Sequence, residues 1–420
     1  MSPPPPRSRT VTYARSVARL RIRPYATEPP PGDGVALRGS AILDSIRLAD
    51  LRAYALLEVA FEPGPQLIWG PNASGKTSLL EAMVVLARGG SHRTTTDAEL
   101  IRWGADVARI DGRFGGAEID VALVRPGSVA AAGGARKRIR VNGVPRRATA
   151  LAERLRVVLF APEDMLLVAG SPSLRRSTVD LLAAALVPGY ATDLATYGRA
   201  LQQRNGLLRA IREETAAADE LRYWDRPFLD SGGAVVAARH ALLARLAGPL
   251  AAAHAEIAPE EAAAAALGIE YVTNAPAWDG ESARDALERR LAETADKEAW
   301  NGTTLVGPHR DDFAFVMDGR DLAAFASRGQ QRTAILALKL AELDLVTAHD
   351  DRPPLLLLDD VFSELDPARR GHLVRRIAEL PQAFVTTTTL DDLDPALRAI
   401  ATPWEVRAEA AGSRLVGRAP

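Results

Sequence analysis

Residues 70–77 read Gly70-Pro71-Asn72-Ala73-Ser74-Gly75-Lys76-Thr77, the form G-x-x-x-x-G-K-[ST], placed after an apolar run ending at Trp69 and before a helix-forming stretch. Far downstream, Leu355 to Leu358 run straight into Asp359 and Asp360. The first segment is a loop whose amides, with the helix N-terminus behind them, face phosphate oxygens. Lys76 neutralises the β and γ phosphates, and the Thr77 hydroxyl ligates Mg²⁺. The second segment supplies what such a loop needs: a buried parallel strand that delivers Asp359 to hold Mg²⁺ through water and Asp360 to orient an attacking water. Each has a blander reading, a chance glycine-rich turn for the loop and a helix-capping pair for the aspartates. The mutual need of the two segments outweighs both. They lie about 280 residues apart, far more than a compact α/β nucleotide-binding domain requires, so the expected fold is one α/β unit interrupted by an insertion.

The rest of the chain agrees with that plan. Short strand-length apolar runs at Ile42 to Leu48, Leu56 to Phe61 and Gln66 to Trp69 precede a helix from Lys76 to Ala87. Strands follow across Val107 to Val124 and Arg138 to Val144, where Asn142-Gly143 is a hairpin turn signal, and Val157 to Phe160 is a buried strand. Residues 171–298 change to Ala, Leu and Arg-rich helical patterns, such as Leu174 to Leu186, Ala191 to Glu214 and Gly233 to Leu267, and strand signals almost vanish. The mixed pattern returns with a helix from Gln330 to Ala348, the Leu355 to Leu358 strand, a helix near Ala368 to Leu380 and a strand at Ala383 to Thr388. We therefore expect a first half of an ATPase lobe at 41–170, a helical inserted lobe at 171–298 and the second half of the ATPase lobe at 299–420.

Residues 1–40 hold eight prolines and seven arginines against only Glu28 and Asp33. That composition predicts a disordered tail or a misassigned start codon, with a nucleic-acid arm or a targeting segment as alternatives. The formal charge of -1 excludes a uniformly basic coat, so any nucleic-acid surface must be local. Zero cysteines remove disulfides and thiolate zinc sites, which fits a cytoplasmic setting. Nowhere do 18 consecutive apolar residues occur, so a membrane span is not expected.

Upstream of the acidic strand, Ser327-Arg328-Gly329-Gln330-Gln331 opens an amphipathic helix. Serine and glycine at a helix start make a second phosphate-binding end, which a head-to-tail partner could bring to another copy's loop; the alternative is an ordinary N-cap. Followed by Asp359-Asp360 and Ser363-Glu364-Leu365-Asp366, this order resembles the ABC class of ATPases, and within it the SMC-like RecF family. The stretches that carry the resemblance are Leu51-Arg52-Ala53-Tyr54, Gly70 to Ala82, Ser91-His92-Arg93-Thr94, Phe160 to Asp164, Gly170 to Asp180, Gln203-Arg204-Asn205, Leu305 to Asp312, Phe325 to Leu343 and Leu356 to Asp366.

The resemblance implies an SMC-like ABC-type P-loop head with an inserted, mainly helical lobe. It implies ATP and Mg²⁺ bound by residues 70–78, including Ser78, with Arg52, Ser327, Gly329, Gln330 and Asp366 also at the nucleotide. It implies an ATP-dependent homodimer and a weak ATPase that uses Lys76 and Asp360. DNA at gaps and junctions is the implied substrate, RecR the implied partner, and RecO and RecA the indirect ones. An ABC transporter ATPase and a non-hydrolysing DNA scaffold are the rival readings.

Four departures from the family pattern bear on mechanism. Ala73 replaces a glycine, which is tolerable only with a negative φ. Arg328 replaces a signature glycine, Asp360 stands where many relatives have glutamate, and Thr386-Thr387-Thr388 occupies the switch-histidine position. Threonine is no comparable base, so slow turnover is expected.

Arg136, Lys137, Arg138, Arg140, Arg146 and Arg147 place six cations in twelve residues without an acid. Alternation with Ile139 and Val141 turns several of them to one face, where they could follow DNA phosphates or simply be solvated. Arg175-Arg176 could add to that surface or form local ion pairs. His309-Arg310-Asp311-Asp312 lacks metal-ligand spacing and reads as a structural or inter-lobe element. Trp224, Trp278 and Trp300 are expected as core anchors.

Overall fold

A computed structural model describes residues 42–128, 136–151, 154–390 and 393–417. The expectation of a disordered tail at 1–40 lies outside the described residues. The first elements are β1 (Leu43–Leu51), β2 (Tyr54–Ala60), β3 (Gly64–Trp69), α1 (Lys76–Arg88), β4 (Val107–Phe114), β5 (Ala117–Val124), β6 (Lys137–Val141), β7 (Val144–Pro145) and β8 (Val157–Phe160). Next come α2 (Pro172–Leu186), α3 (Tyr190–Arg212), α4 (Leu221–Ile257), α5 (Pro259–Ala264), β9 (Leu267–Val272) and α6 (Ala283–Asn301). The last are β10 (Asp312–Met317), β11 (Arg320–Asp321), α7 (Leu322–Phe325), α8 (Arg328–Asp350), β12 (Leu355–Leu358), α9 (Pro367–Ala378), β13 (Gln382–Thr387), α10 (Pro395–Ile400), β14 (Thr402–Glu409) and β15 (Gly412–Gly417).

The central sheet has the order β15-β14-β3-β13-β12-β8, and every pairing except β14 with β15 is parallel. Strand β12 shows why it reads as four leucines. Leu356 and Leu358 enter one hydrophobic core with α2, α4, α8 and α9, while Leu355 and Leu357 enter a second core with α1. A strand covered on both faces has no polar side to alternate. The phosphate-loop strand β3 sits beside β13 in the middle of this sheet, with β12 next in order, so the loop and the acidic strand end at the same edge of the domain.

The second core is closed by an antiparallel sheet of order β2-β1-β4-β5-β6-β7, and α1 lies between the two sheets. Helix α1 is therefore apolar almost all round: ten of its residues, including Leu79, Leu80, Met83, Val84 and Leu86, are buried. Asn142 and Gly143 both adopt positive φ (51° and 76°) in the turn between β6 and β7, as the sequence signal predicts.

The helical part of the chain is not purely helical. Strand β9 falls within the stretch expected to lack strands, and it pairs antiparallel with β10, which pairs with β11. Leu267, Ile269 and Tyr271 face the core while Gly268, Glu270 and Val272 lie on the other side, so the apolar alternation of β9 spans only three residues. Helix α4 starts at Leu221, twelve residues before the expected Gly233. Its segment is long and apolar enough for a candidate membrane span, with a most apolar window of mean hydropathy 1.2. Packing accounts for that character: Val235, Leu242, Leu243, Leu246 and Leu250 all bury in the core shared with α8. Each such side chain contributes about 1.5–3 kcal/mol.

Two expected core anchors are on the surface. Trp278 and Trp300 are 63% and 82% exposed. The Arg289 guanidinium covers the Trp278 ring at 3.7 Å from its centroid, which keeps the ring ordered without a core, and Trp224 is half-buried.

The loop before β10 ties the parts together. Arg175 grips Asp312 with two hydrogen bonds (2.7 and 2.6 Å), and Arg176 donates to the Asp311 carbonyl. The ion-pair alternative is the one the structure shows for Arg175, while Arg176 bonds to backbone. Arg239, buried in α4, donates to both oxygens of Asp180 and to the Pro308 carbonyl, and Tyr271 donates to Asp311. Breaking a buried pair of this kind costs about 3–5 kcal/mol. Among the described residues no group of three or more His, Asp or Glu is placed to hold a metal.

Candidate functional site

The phosphate loop turns sharply out of β3. Gly70 has φ 150°, and a Cβ there would lie 2.5 Å from the Val406 carbonyl oxygen, so the position requires glycine. Ala73 has φ 62°, which corrects the expectation of a negative value: this alanine carries left-handed backbone strain of about 1–2 kcal/mol. Tyr54 reaches across from β2 and donates to the Gly75 carbonyl at 3.1 Å. Lys76 donates to the carbonyls of Gly70 (2.7 Å) and Pro71 (2.9 Å), which lays its ammonium along the loop. Burial lowers the Lys76 pKa and the nearby Asp360 and Asp359 carboxylates oppose that shift. Ser74 Oγ is buried without a hydrogen-bond partner. A phosphate oxygen would supply one.

The two halves of the site meet. Thr77 Oγ1 donates to Asp359 Oδ1 at 3.1 Å across 282 residues of sequence. A hydroxyl beside a carboxylate oxygen at the end of a parallel strand is a hard-oxygen donor set, which fits Mg²⁺. Thr386 donates to the same Oδ1 at 2.7 Å and accepts from the Asp360 amide at 2.9 Å. Thr386 is fully buried, so in place of a base the switch position holds a side chain that fixes both aspartates. The sequence carried a signal for this, a threonine that continues the apolar run Ala383-Phe384-Val385 of a core strand. Asp360 itself adopts φ 53°, one of the few side-chain types that tolerate that region.

Other expected site residues are placed less simply. Arg52 is committed to Glu81 on α1 through two hydrogen bonds of 2.9 Å and to the Glu99 carbonyl at 2.8 Å. Burial alone would push Glu81 up, but hydrogen bonds from Arg52 and Ser91 hold its carboxyl below the usual range. Sequence reading did not find Glu81, whose helical spacing among apolar residues resembles a surface position.

Ser327 caps α8: its hydroxyl accepts from the Gln330 amide at 3.2 Å, and Gln330 Oε1 accepts from the Ser327 amide at 2.9 Å. Ser327, Arg328 and Gly329 are exposed, and Phe325 beside them is 74% exposed. Asp366 caps α9, accepting from the Arg369 amide at 3.0 Å and pairing with the Arg369 side chain, which also donates to Thr333 of α8 at 2.5 Å. One arginine thus links the Asp366 turn to the helix that Ser327 begins.

The basic hairpin splits. Arg138 and Arg140 point to the open face of β6, while Ile139 and Val141 are buried. Lys137 lies on the inner side, paired with Asp97 at 2.8 Å and bonded to the Gly89 carbonyl at 2.6 Å, so it leaves the proposed basic face. Arg136, Arg146 and Arg147 are exposed.

A P-loop on one strand, its acidic partner two strands away, an exposed serine-capped signature helix and a helical insertion define an ABC-type ATPase head of the SMC-like kind. The RecF/RecN/SMC N terminal domain family matches residues 42–403, and the chain belongs to that family as a RecF-type member. The DNA replication and repair protein RecF of Symbiobacterium thermophilum is 39% identical over 360 residues, covering 84% of this chain and 92% of its own. RecF of Chloroflexus aggregans is 39% identical over 385 residues, covering 86% and 97%. A solved structure of the recombination mediator protein RecF-ATPrS in the RecFOR pathway matches with a TM-score of 0.80 at 28% identity, over 90% of this chain and 99% of that one.

Proposed function

We propose that this chain is an ATP-dependent DNA clamp of recombinational gap repair, cytoplasmic and associated with the nucleoid. Two copies bind ATP, close head to tail on DNA, and open again after hydrolysis. The observation that carries the reading is the Thr77–Asp359 hydrogen bond, which joins the phosphate loop to the acidic strand. ATP would lie along residues 70–78, with Thr77 and Asp359 holding Mg²⁺, which supplies charge neutralisation at the phosphates. Lys76 meets the β and γ phosphates and Asp360 orients the attacking water. Ser327, Gly329 and Gln330 offer the partner copy's phosphate a helix N-terminus. Asp366 supports the joint between the heads, and Arg52 acts through Glu81 to set the angle of α1.

Gapped or junction DNA is the substrate in this reading, RecR the direct partner, and RecO and RecA the proteins served downstream. Arg136, Arg138, Arg140, Arg146 and Arg147 form the DNA face. The division at 41–170, 171–298 and 299–420 belongs to the same proposal. A transporter ATPase is disfavoured by the family. A non-hydrolysing scaffold differs from the proposal in one measurable respect, phosphate release. Mass in solution, measured with and without ATP and a gapped duplex, tests nucleotide, dimer and DNA together. A monomer under every condition overturns the clamp.

A further inference from the structure

The signature turn and the Asp366 turn begin different helices, α8 and α9, yet one chain of hydrogen bonds joins them. Thr333, fully buried in the second turn of α8, donates its hydroxyl proton to the Gly329 carbonyl at 3.0 Å. With that proton committed, the oxygen can only accept from another side chain. It accepts from the Arg369 guanidinium of α9 at 2.5 Å. Arg369 in turn pairs through its side chain with Asp366, whose Oδ1 receives the Arg369 amide at 3.0 Å. Gly329 and Asp366 are thereby linked through two side chains.

The guanidinium has a third anchor. It donates to Glu261 Oε1 at 3.3 Å, on the short helix α5 that follows α4. The other Glu261 oxygen is buried without a hydrogen-bond partner, and His254 Nε2, also without one, lies 3.8 Å from it. Glu261 is thus bonded to Arg369 and not to the neighbouring imidazole. A planar fork with donors on several edges can meet acceptors on three helices at once in fixed geometry, which an ammonium cannot do.

We propose that Arg369 is a positioning residue for the joint between the heads: through Thr333 and Asp366 it holds the signature turn and the Asp366 turn in one fixed relation, and Glu261 sets that relation from the helical lobe. The inference rests on the two-headed reading above, in which both turns meet the partner copy. Two turns fixed to each other present one preformed surface, so less order has to be imposed when ATP brings the second head. None of the three partners of Arg369 belongs to residues 70–78 or 355–360, so a single subunit should bind ATP without them.

The test follows subunit association at saturating ATP by light scattering, and ATP affinity by calorimetry on dilute subunits. Thr333→Val keeps the shape of a buried side chain and removes its oxygen. Association should weaken about 10-fold, with ATP affinity unchanged. Arg369→Gln should weaken association at least as much, and Arg369→Lys, which keeps the charge beside Asp366 but not the fork, should recover only part. Adding Thr333→Val to Arg369→Gln should change association no further, because the hydroxyl acts through the guanidinium, whereas independent packing defects multiply. Glu261 is partly exposed, so Glu261→Gln removes its charge without disturbing the core and should also weaken association, which keeps the idea testable if Arg369→Gln fails to fold. Unchanged association in Thr333→Val and Glu261→Gln, an equal loss of ATP affinity, or losses that multiply in the double variant removes Arg369 from the joint and leaves the two-headed reading in place. A wild-type chain that binds ATP yet stays monomeric overturns that reading and this inference together.

Discussion

At the scale of single residues, the site combines rigidity with local strain. Ala73 holds a left-handed conformation that glycine adopts freely. Ala73→Gly should raise stability by about 1 kcal/mol, measured by denaturant unfolding without nucleotide, since the relief of strain exceeds the extra entropy of an unfolded glycine. A loss of stability would mean that the alanine methyl packs usefully. His309 reports on the inter-lobe loop. Burial, opposed by a hydrogen bond with the Thr304 carbonyl, pushes its pKa down from 6.5 to about 4. Because the unfolded chain takes up this proton first, the contribution is complete above pH 6.5 and drains away as pH falls towards 4, by about 3 kcal/mol at 1.36 kcal/mol per pH unit. The Tyr197 hydroxyl lies 2.6 Å from Nδ1. The stability of His309→Gln should therefore fall less steeply than wild type between pH 6.5 and 4; parallel profiles would show that His309 titrates normally in the folded protein.

At the scale of elements, hydrophobic period was a dependable guide where both faces of an element are buried. The Val157 to Phe160 strand, the start of α1 and the Leu355 to Leu358 strand stand where the pattern put them, because burial on both sides leaves a continuous apolar run. Strand β9 escaped because its alternating face, Leu267, Ile269 and Tyr271, is only three residues long and directly follows the alanine-rich helical run, and pairing with β10 makes it a strand. The β6 hairpin shows the converse. Alternation separated Arg138 and Arg140 from the core, yet could not reveal that Lys137 turns inward to Asp97. If the outward arginines follow DNA phosphates, replacing both by alanine should weaken binding equally for unrelated sequences. The slope of log K against log salt should become shallower by about 0.9 per lost contact. A slope identical to wild type would leave the hairpin as a solvated edge.

At the scale of the whole molecule, the signature helix presents Ser327 to solvent while Thr333 to Leu343 of α8 are buried in the core. Ser327→Arg should leave ATP affinity within a few-fold, since residues 70–78 are untouched, but abolish ATP-dependent dimerisation and hydrolysis. Mixing it with Lys76→Met subunits should partly restore association, because one of the two composite sites in a mixed dimer then pairs an intact loop with an intact signature. Light scattering reads both effects, and a Ser327→Arg monomer that hydrolyses ATP at the wild-type rate would refute the two-headed scheme. The sequence by itself determined the chemistry of the loop and of the acidic strand, the α/β class and the presence of an insertion, because each is written in contiguous residues with a period or a spacing. Only the tertiary structure decided that Thr386 aligns Asp359 and Asp360, that Glu81 occupies Arg52, and that Trp278 and Trp300 face solvent. Those outcomes depend on which distant segments the two cores bring together, and a side chain's partner across hundreds of residues leaves no periodic trace in the chain that carries it.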